Sequence, residues 1–274
     1  MAPEELIQPV TFIPLQSGLL GDLAMIRHGV TKRVAAAGQG EANIGYGAPH
    51  DRHDAWDSRQ RWAATVGVDP ETIVTCSQVH GATVLRIDED HIGQGARPGS
   101  GSAGRGDALM TDRPGVALLT LHADCAPILL VDPNRPAVAA VHAGWRGTVS
   151  NVVGTTVEQM RHHFGSNPQH IKAFIGPAIG PCCYEVGPEV TSAWRERAGV
   201  DAPAALVGFR HFDLVTANHW LLRRAKLDER NIEHSQICTR CQQREWFSHR
   251  AQGPLTGRFG AMIAIRSPRT SGEK

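Results

Sequence analysis

Three apolar segments of the chain each end in a residue that can bind a metal: the first in His80, the second in Cys125 and the third in His142. Strand ends are where a rigid sheet presents side chains to a cleft. One thiolate and two imidazoles suit Zn²⁺, and three protein ligands leave a fourth position for water or substrate. The pattern therefore indicates a catalytic zinc site, at which Cu²⁺ could also bind.

Each of these residues also has a simpler interpretation. A lone cysteine is most often a small buried hydrophobe, and a lone histidine at a strand end is usually a satisfied polar residue. The same set could form a metal-free cysteine hydrolase, with Cys125 as the nucleophile and a histidine as its base. A copper oxidase of phenols is a further alternative, although it needs several coppers and the chain contains no His-x-His pair. The residues alone leave these alternatives open.

Hydrophobic patterning predicts the elements that must position the three side chains. Short apolar runs predict strands at 73–79, 107–111, 115–121, 127–131, 137–142, 171–175, 233–238 and 259–265. Helical spacing predicts helices at 54–66, 148–164, 189–198 and 213–227. Strands and helices mix without strict alternation, which indicates an α/β (or α+β) fold rather than a barrel of eight repeated units. We expect an N-terminal extension or edge strand at 1–25, one catalytic domain at 26–267 and a flexible tail at 268–274.

Composition narrows the class of protein. Of 274 residues, 41% are hydrophobic and 20% are charged, with a net charge of +1, which is ordinary for a globular protein. Such a balance gives no field that would attract nucleic acid or an anionic membrane. We see no signal peptide and no apolar run of the ~18 residues that a membrane span needs. Six cysteines without a signal peptide indicate reduced thiols and a cytoplasmic location.

Two further patterns resemble known sites but lack the expected context. Cys238-Thr-Arg-Cys241 is a single C-x-x-C pair, and a structural zinc site needs a second pair at a matching spacing. Cys182 and Cys183 are adjacent, so their side chains would point apart in extended chain. We interpret these four cysteines as structural residues. The run 99–104 matches a dinucleotide-binding fingerprint, but it lacks the preceding strand and following helix, so we predict a loop.

Several longer strings carry a family resemblance. They are Gln78-Val-His80-Gly81, Ala123-Asp124-Cys125-Ala-Pro127, Val141-His142-Ala-Gly-Trp145-Arg146-Gly147, the run Ile175–Val186, Asp107, Asp213, Asn218, Phe247–Arg250 and Thr256–Arg258. From about His28 to Ile265, the chain resembles the YfiH-type, laccase-domain family of purine nucleoside phosphorylases, once classed as polyphenol oxidases. It departs from the family near Thr31–Ala37, where a glycine-rich stretch is usual.

The resemblance implies a fold and an activity that composition does not show. It implies a single compact domain of layered mixed β-sheets flanked by helices, with a metal held by His80, Cys125 and His142. It implies phosphorolysis of adenosine, inosine, guanosine and methylthioadenosine, together with adenosine deamination. The partners would then be purine nucleosides and phosphate, with no nucleic acid and no membrane, in a monomer or homodimer. Editing of cell-wall precursors is a role suggested for bacterial relatives.

This chemistry makes demands on other side chains. Phosphate must be held against the ribose, and an arginine fork donates two hydrogen bonds to it. We predict Arg59 for that role, then Arg146, with Arg33 as a third candidate. Deamination needs an activated water, and bound Zn²⁺ lowers the pKa of water to about 7. Asp124 could shuttle a proton or could simply hold a ligand by a hydrogen bond.

Overall fold

The structure is a computed structural model that describes residues 10–267, so the expected tail at 268–274 lies outside the described residues. In chain order its strands are β1 (Ile26–Val30), β2 (Ile73–Val74), β3 (Val84–Arg86), β4 (Ala108–Thr111), β5 (Ala117–His122), β6 (Ala126–Asp132), β7 (Ala137–Ala143), β8 (Lys172–Ile175), β9 (Leu206–Val207), β10 (His211–Phe212), β11 (Ile232–His234) and β12 (Phe259–Ile265). Its helices are α1 (Gly18–Gly21), α2 (Arg52–Val66), α3 (Trp145–Val149), α4 (Val152–Phe164), α5 (Pro188–Ala198), α6 (Leu214–Arg224) and α7 (His249–Gln252).

Two mixed sheets form the centre of the domain. The first has the strand order β1-β12-β5-β2, and the second has the order β11-β8-β6-β7-β4-β3. Most neighbouring strands are antiparallel, while β2 with β5, β3 with β4 and β11 with β8 are parallel. Strands β6 and β7 are buried at every position, which explains why both read as continuous apolar runs.

Alternating side chains divide the core into layers. In β5, Leu118 packs between the two sheets, whereas Leu119 faces α2 together with Trp62. In β6, Leu129 points into the space between the sheets, whereas Leu130 faces α4, α5 and α6. The result is a helix–sheet–sheet–helix sandwich, which confirms the predicted α/β domain of layered mixed sheets. In residues 10–267 we find no helix with the length and apolarity needed to cross a bilayer.

Most predicted elements agree with the structure in type and position, but several are shorter than predicted or divided. The helix expected at 148–164 is two helices, because Asn151 adopts φ 62° between α3 and α4. The strand expected at 233–238 ends at His234, shortly before Gln236 at φ 56°. The strand expected at 73–79 pairs regularly only at Ile73–Val74. Beyond it the chain follows a loop to His80, which has φ 60°.

Of the predicted N-terminal extension, residues 10–25 are described and they pack against the domain. Leu15 bridges to Val30 of β1, and Leu20 is fully buried in the core between the sheets. Ser17 caps α1 and donates its hydroxyl to Glu233 Oε2 at 2.7 Å. This segment therefore closes the β1 side of the molecule.

Candidate metal centre

The structure brings the three predicted ligands together. One ligand atom from each of His80, Cys125 and His142 lies within 4.8 Å of the other two. The convergence that the sequence predicted is therefore confirmed, and it takes place where the two sheets meet. Strand β5 of the first sheet passes to β6 of the second through a short link that contains Cys125, and His142 lies beside this link in β7.

Asp107 organises both histidines from a fully buried position. Its Oδ1 accepts a hydrogen bond from the His80 amide at 2.9 Å and lies 2.9 Å from His142 Nδ1. Its Oδ2 accepts from the Gly81 amide at 2.6 Å. The carboxylate thus stabilises the left-handed backbone of His80. It also fixes the His142 tautomer, because a proton on Nδ1 leaves Nε2 free to coordinate a metal.

The glycine at position 144 gives the ligands the space that they occupy. A Cβ atom added to Gly144 would lie 2.8 Å from Cys125 Sγ and 3.2 Å from His80 Cδ2. Real Cβ atoms do not approach a sulfur so closely, so only glycine fits without movement of the sheet end. The thiolate, the imidazoles and the glycine together form a cradle of the size and donor chemistry that Zn²⁺ prefers.

The charges within the trio favour a deprotonated thiol. Burial works to raise the pKa of Cys125, but the facing imidazoles of His142 and His80 outweigh it and lower the pKa to about 6. Burial works to lower the pKa of His142, but Cys125 and Asp107 raise it to about 9. A thiolate is the form that binds a metal. The nearby His122 is different: burial lowers its pKa well below the usual value, so it stays neutral.

The trio lies in a cavity of about 560 Å³, within the range that is typical of small-molecule sites. Its apolar wall includes Leu121, Ile179 and Leu214, and its polar wall includes Gln78 and Tyr184. The Gln78 side chain exchanges two hydrogen bonds of 2.8 Å with the backbone of Leu121. These bonds hold the loop that carries His80 against the end of β5.

Asp124 faces this cavity and is held from both sides. Its Oδ1 accepts a hydrogen bond from the Thr239 hydroxyl at 2.6 Å, and its Oδ2 accepts from the Arg250 amide at 2.7 Å. Its backbone adopts φ 89° beside Cys125. These contacts fit a hydrogen-bonding role for Asp124 better than that of a free proton shuttle, because both carboxylate oxygens already have fixed donors.

The arginine that the sequence favours first for phosphate donates its hydrogen bonds to nearby backbone carbonyls. Arg59 is buried against the ring of Tyr46 and donates to the carbonyl oxygens of Ile44, Gly95 and Ala96. It is not among the described residues that line the cavity, so nothing in this geometry favours the predicted phosphate role of its fork.

The second and third choices are also engaged elsewhere. Arg146 is exposed and stacks on the ring of Trp145 at 4.3 Å, outside the described lining of the cavity. Arg33 forms a two-bond pair with Glu41, in which each bond measures 2.8 Å. Backbone carbonyls take the fork of Arg59 and a carboxylate takes that of Arg33, whereas Arg146 contacts the face of an aromatic ring.

Two arginines that were noted only as part of the family strings do line the cavity. Arg258 lies close enough to Cys125 and Asp124 for their charges to act on it, although burial has the larger effect and lowers the pKa of Arg258. Its Nη1 donates to the carbonyls of Thr256 and Gly257 at 2.6 and 2.9 Å. Arg250 lines the same wall and lies over Tyr184. In the sequence, the two arginines could be noticed because each ends one of the strings that carry the family resemblance, Phe247–Arg250 and Thr256–Arg258.

A second group of metal-binding side chains lies outside the cavity. The four cysteines 182, 183, 238 and 241 have sulfur atoms within 4.8 Å of one another. The expectation that Cys238 and Cys241 lack a second pair is therefore wrong. It assumed an extended chain at Cys182 and Cys183, whereas residues 181–183 form a turn that presents both side chains to the other pair.

The fold, the cavity and the converging trio define a laccase-like domain, and comparison with known families agrees. A family model described as "Multi-copper polyphenol oxidoreductase laccase" matches residues 27–266, and the chain belongs to this family. Within residues 10–267 the candidate metal groups are the trio and the cysteine cluster. The donor set of the trio, one thiolate and two imidazoles, fits a single ion.

Individual relatives carry more specific names. The purine nucleoside phosphorylase YlmD of Geobacillus stearothermophilus is 36% identical over 230 residues, which are 82% of this chain and 83% of YlmD. The adenosine deaminase RL5 of an unknown prokaryotic organism is 36% identical over 208 residues, covering 74% and 78%. A crystal structure of YlmD from Geobacillus stearothermophilus superimposes with a TM-score of 0.86 at 32% identity, covering 95% of this chain and 98% of that one.

Proposed function

We propose that this chain is a metal-dependent purine nucleoside phosphorylase that also deaminates adenosine. Its substrates would be adenosine, inosine, guanosine and methylthioadenosine, with phosphate as the second reactant. The observation that carries the proposal is the convergence of His80, Cys125 and His142 in a cavity of small-molecule size. The names of the relatives support the substrate class. A cytoplasmic location and a monomer or homodimer are part of the same proposal.

The trio would hold Zn²⁺, with Cu²⁺ as the alternative ion. When bound there, Zn²⁺ supplies a Lewis acid that makes water a nucleophile near neutral pH. The protein's own contribution is the fixed geometry around it. Asp107 orients His142 and the loop of His80, and Gly144 leaves room for the thiolate. The apolar wall of Leu121, Ile179 and Leu214 excludes water from one side of a bound purine.

Phosphate binding falls to Arg258 and Arg250 in this proposal. Glycosidic cleavage develops positive charge on the ribose. The phosphate must be held beside the ribose carbon of the glycosidic bond, which it attacks. A guanidinium fork binds phosphate through two parallel hydrogen bonds. The bonds from Arg258 Nη1 to two carbonyls anchor the group and restrict its rotation. The Arg250 amide also holds Asp124, the residue before the metal ligand Cys125. The backbone at Arg250 therefore supports both the proposed phosphate site and the metal site.

A cysteine hydrolase is the second candidate, because Cys125 and His142 favour a thiolate beside a protonated imidazole. Alkylation separates the two functions. A metal-bound thiolate resists iodoacetamide until a chelator removes the ion. A catalytic nucleophile reacts quickly in the native, metal-free enzyme. Cys125→Ser with full metal content and lost activity would favour the hydrolase.

The reaction itself is tested with three incubations of metal-replete enzyme. Inosine alone should remain, inosine with phosphate should give hypoxanthine and ribose-1-phosphate, and adenosine alone should give inosine and ammonia. Chromatography of the products decides each case. If both nucleosides persist while a phenol is oxidised, the copper oxidase takes the place of this proposal. Turnover of a cell-wall precursor in preference to nucleosides would instead favour the editing role.

The phosphate site is tested with Arg258→Gln. We expect kcat/KM for phosphorolysis to fall by roughly 10-fold to 100-fold, because a charged hydrogen-bonding pair contributes about 1.5–3 kcal/mol. Adenosine deamination should change by less than about threefold, since it needs no phosphate. Arg195→Gln is the matched control, because Arg195 is an exposed arginine of α5 outside the described lining of the cavity. Equal losses in both reactions would assign Arg258 to general support of the site.

A further inference from the structure

The four-cysteine cluster is built by two turns that the backbone brings together. In the first turn, the amides of Cys183 and Tyr184 both donate to the Gly180 carbonyl at 2.9 Å. In the second, the Gln242 amide donates to the Cys238 carbonyl at 3.0 Å, which places Cys238 and Cys241 on one face of a single helical turn. The segments are joined where Ala178 bridges to Cys238.

The sulfur separations match a tetrahedral metal site. Cys241 Sγ lies 3.4 Å from Cys183 Sγ and 3.6 Å from Cys182 Sγ. Zn–S bonds of about 2.3 Å in a tetrahedron place sulfur atoms roughly 3.8 Å apart. A disulfide needs about 2.05 Å. Four sulfurs within 4.8 Å of one another therefore have the spacing of ligands around one ion.

The surroundings of the cluster are those of bound thiolates. The Gly180 amide donates to Cys238 Sγ at 3.2 Å, and such outer hydrogen bonds orient metal ligands. The guanidinium of Arg240 faces the Cys183 thiol, where it offsets negative charge. A Cβ on Gly180 would approach Cys238 Cβ to 3.2 Å and Cys182 Sγ to 3.4 Å, so the turn is packed closely against both pairs.

We propose that Cys182, Cys183, Cys238 and Cys241 bind a second, structural Zn²⁺ ion. Binding converts four thiols to thiolates and releases their protons, with no change in oxidation state. Four protein ligands leave no open position, which is typical of structural zinc.

The ion would clamp one wall of the cavity. Ile179 and Tyr184 line the cavity and flank the first turn. Thr239, within the second turn, donates its hydroxyl to Asp124. A metal that ties the two turns together therefore fixes both the wall and the support of Asp124. The proposal is independent of the reaction that the cavity performs.

Metal content tests the proposal on the full-length, reduced enzyme. Mass spectrometry of metals should find two zinc ions per chain, one for each group of ligands. Cys238→Ser/Cys241→Ser should lose one ion and keep the other. His80→Ala is the matched control, because it should lose the ion of the other site and keep this one. One ion per chain in the wild type, unchanged by the cysteine substitutions, overturns the proposal, and iron at this site overturns the assignment of zinc.

Two further measurements hold even if the double variant does not fold. In the wild type, all four cysteines should resist alkylation until zinc is chelated, as peptide mapping would show. Cobalt exchanged into the wild type should give the intense absorption of a tetrathiolate site, and His80→Ala should retain it. Rapid alkylation of Cys182 and Cys241 in the native enzyme, or a disulfide in its non-reduced peptide map, would contradict a metal clamp.

Discussion

The two groups of metal-binding side chains are positioned by opposite means. The trio takes His142 from a strand and Cys125 from a short link between buried strands. His80 comes from a loop, which a hydrogen bond to the fully buried Asp107 holds in place. The cysteine cluster takes its sulfurs from two turns near the surface, where Cys182 and Cys241 are exposed.

This difference fits the roles proposed for the two sites. A site with an open coordination position needs ligands that stay in place without help, so it is built where two sheets meet. A closed site of four ligands can use irregular chain, because the ion itself supplies the rigidity. The proposed roles, catalytic for the trio and structural for the cluster, agree with this division of support.

The sharpest test of the comparison removes a ligand from each group. His142→Ala should lower kcat/KM by more than about 100-fold for phosphorolysis and deamination alike, since even the loss of a ligand's hydrogen-bonding partner costs 10–100-fold. Cys241→Ser should change either reaction by less than about 10-fold, because that site lies outside the chemistry. Steady-state kinetics on both substrates measures this. Similar losses in the two variants would remove the distinction between the sites.

Asp107→Asn should have the next largest effect. It keeps the shape of the side chain but removes the charge that orients His142, so zinc affinity at the trio should fall by about 10–100-fold. Asp132→Asn is the matched control, because Asp132 is also fully buried and accepts backbone amides at the far end of β6. Competition with a chromogenic chelator compares the two. If Asp132→Asn also lowered the zinc affinity of the trio, the effect of Asp107→Asn would reflect a loss of protein stability and not the lost orientation of His142.

The two close-packed glycines sharpen the comparison further. Gly144→Ala places a Cβ 2.8 Å from Cys125 Sγ at a buried sheet end, and overpacking of that kind costs about 1–3 kcal/mol. We expect roughly 10-fold weaker zinc binding at the trio. In Gly180→Ala the new Cβ lies 3.2 Å or more from its neighbours on a surface turn. This variant should therefore lower the zinc affinity of the cysteine cluster by a smaller factor. Metal titration of the apo-enzymes would show the order, and a reversed order would contradict this account of rigidity.

The smallest expected effect concerns the hydrogen bond that connects the two regions. Thr239→Val removes the donor to Asp124 Oδ1, and a hydrogen bond of this kind contributes about 1 kcal/mol. A loss of roughly fivefold in kcat/KM should follow, with zinc content unchanged. Thr156→Val is the control, since that hydroxyl is equally buried and bonds only within α4. No difference between the two variants would mean that the cluster and the cavity act independently.

The sequence predicted the parts of the molecule in which local pattern and tertiary structure agree. The continuous apolar runs of β6 and β12 were placed within a residue of their observed ends, because buried strands need such runs. The break at Asn151 was missed because the apolar spacing of α4 masks it, although asparagine adopts left-handed backbone more readily than most residues.

The candidate site shows the same division. The trio could be predicted because each ligand lies at the end of an apolar run, although the run before His80 forms a regular strand only at Ile73–Val74. The sequence favours Arg59 over Arg258 because it does not reveal which guanidinium lines the cavity and which is buried away from it. The meeting of the two cysteine pairs depends on turns about 60 residues apart along the chain, and loop closure over such a distance leaves no local pattern to read.

The passage of the chain from β5 to β6 has a consequence for folding. Cys125 lies where the backbone leaves one sheet and enters the other, so the three donors are together only in the folded domain. In the unfolded chain they are dispersed, and an ion that binds them acts as a ligand of the native state alone. Free zinc at 100 times its dissociation constant would then raise the free energy of unfolding by about 2.7 kcal/mol. The supply of metal would thus govern how long each molecule survives as well as how fast it works.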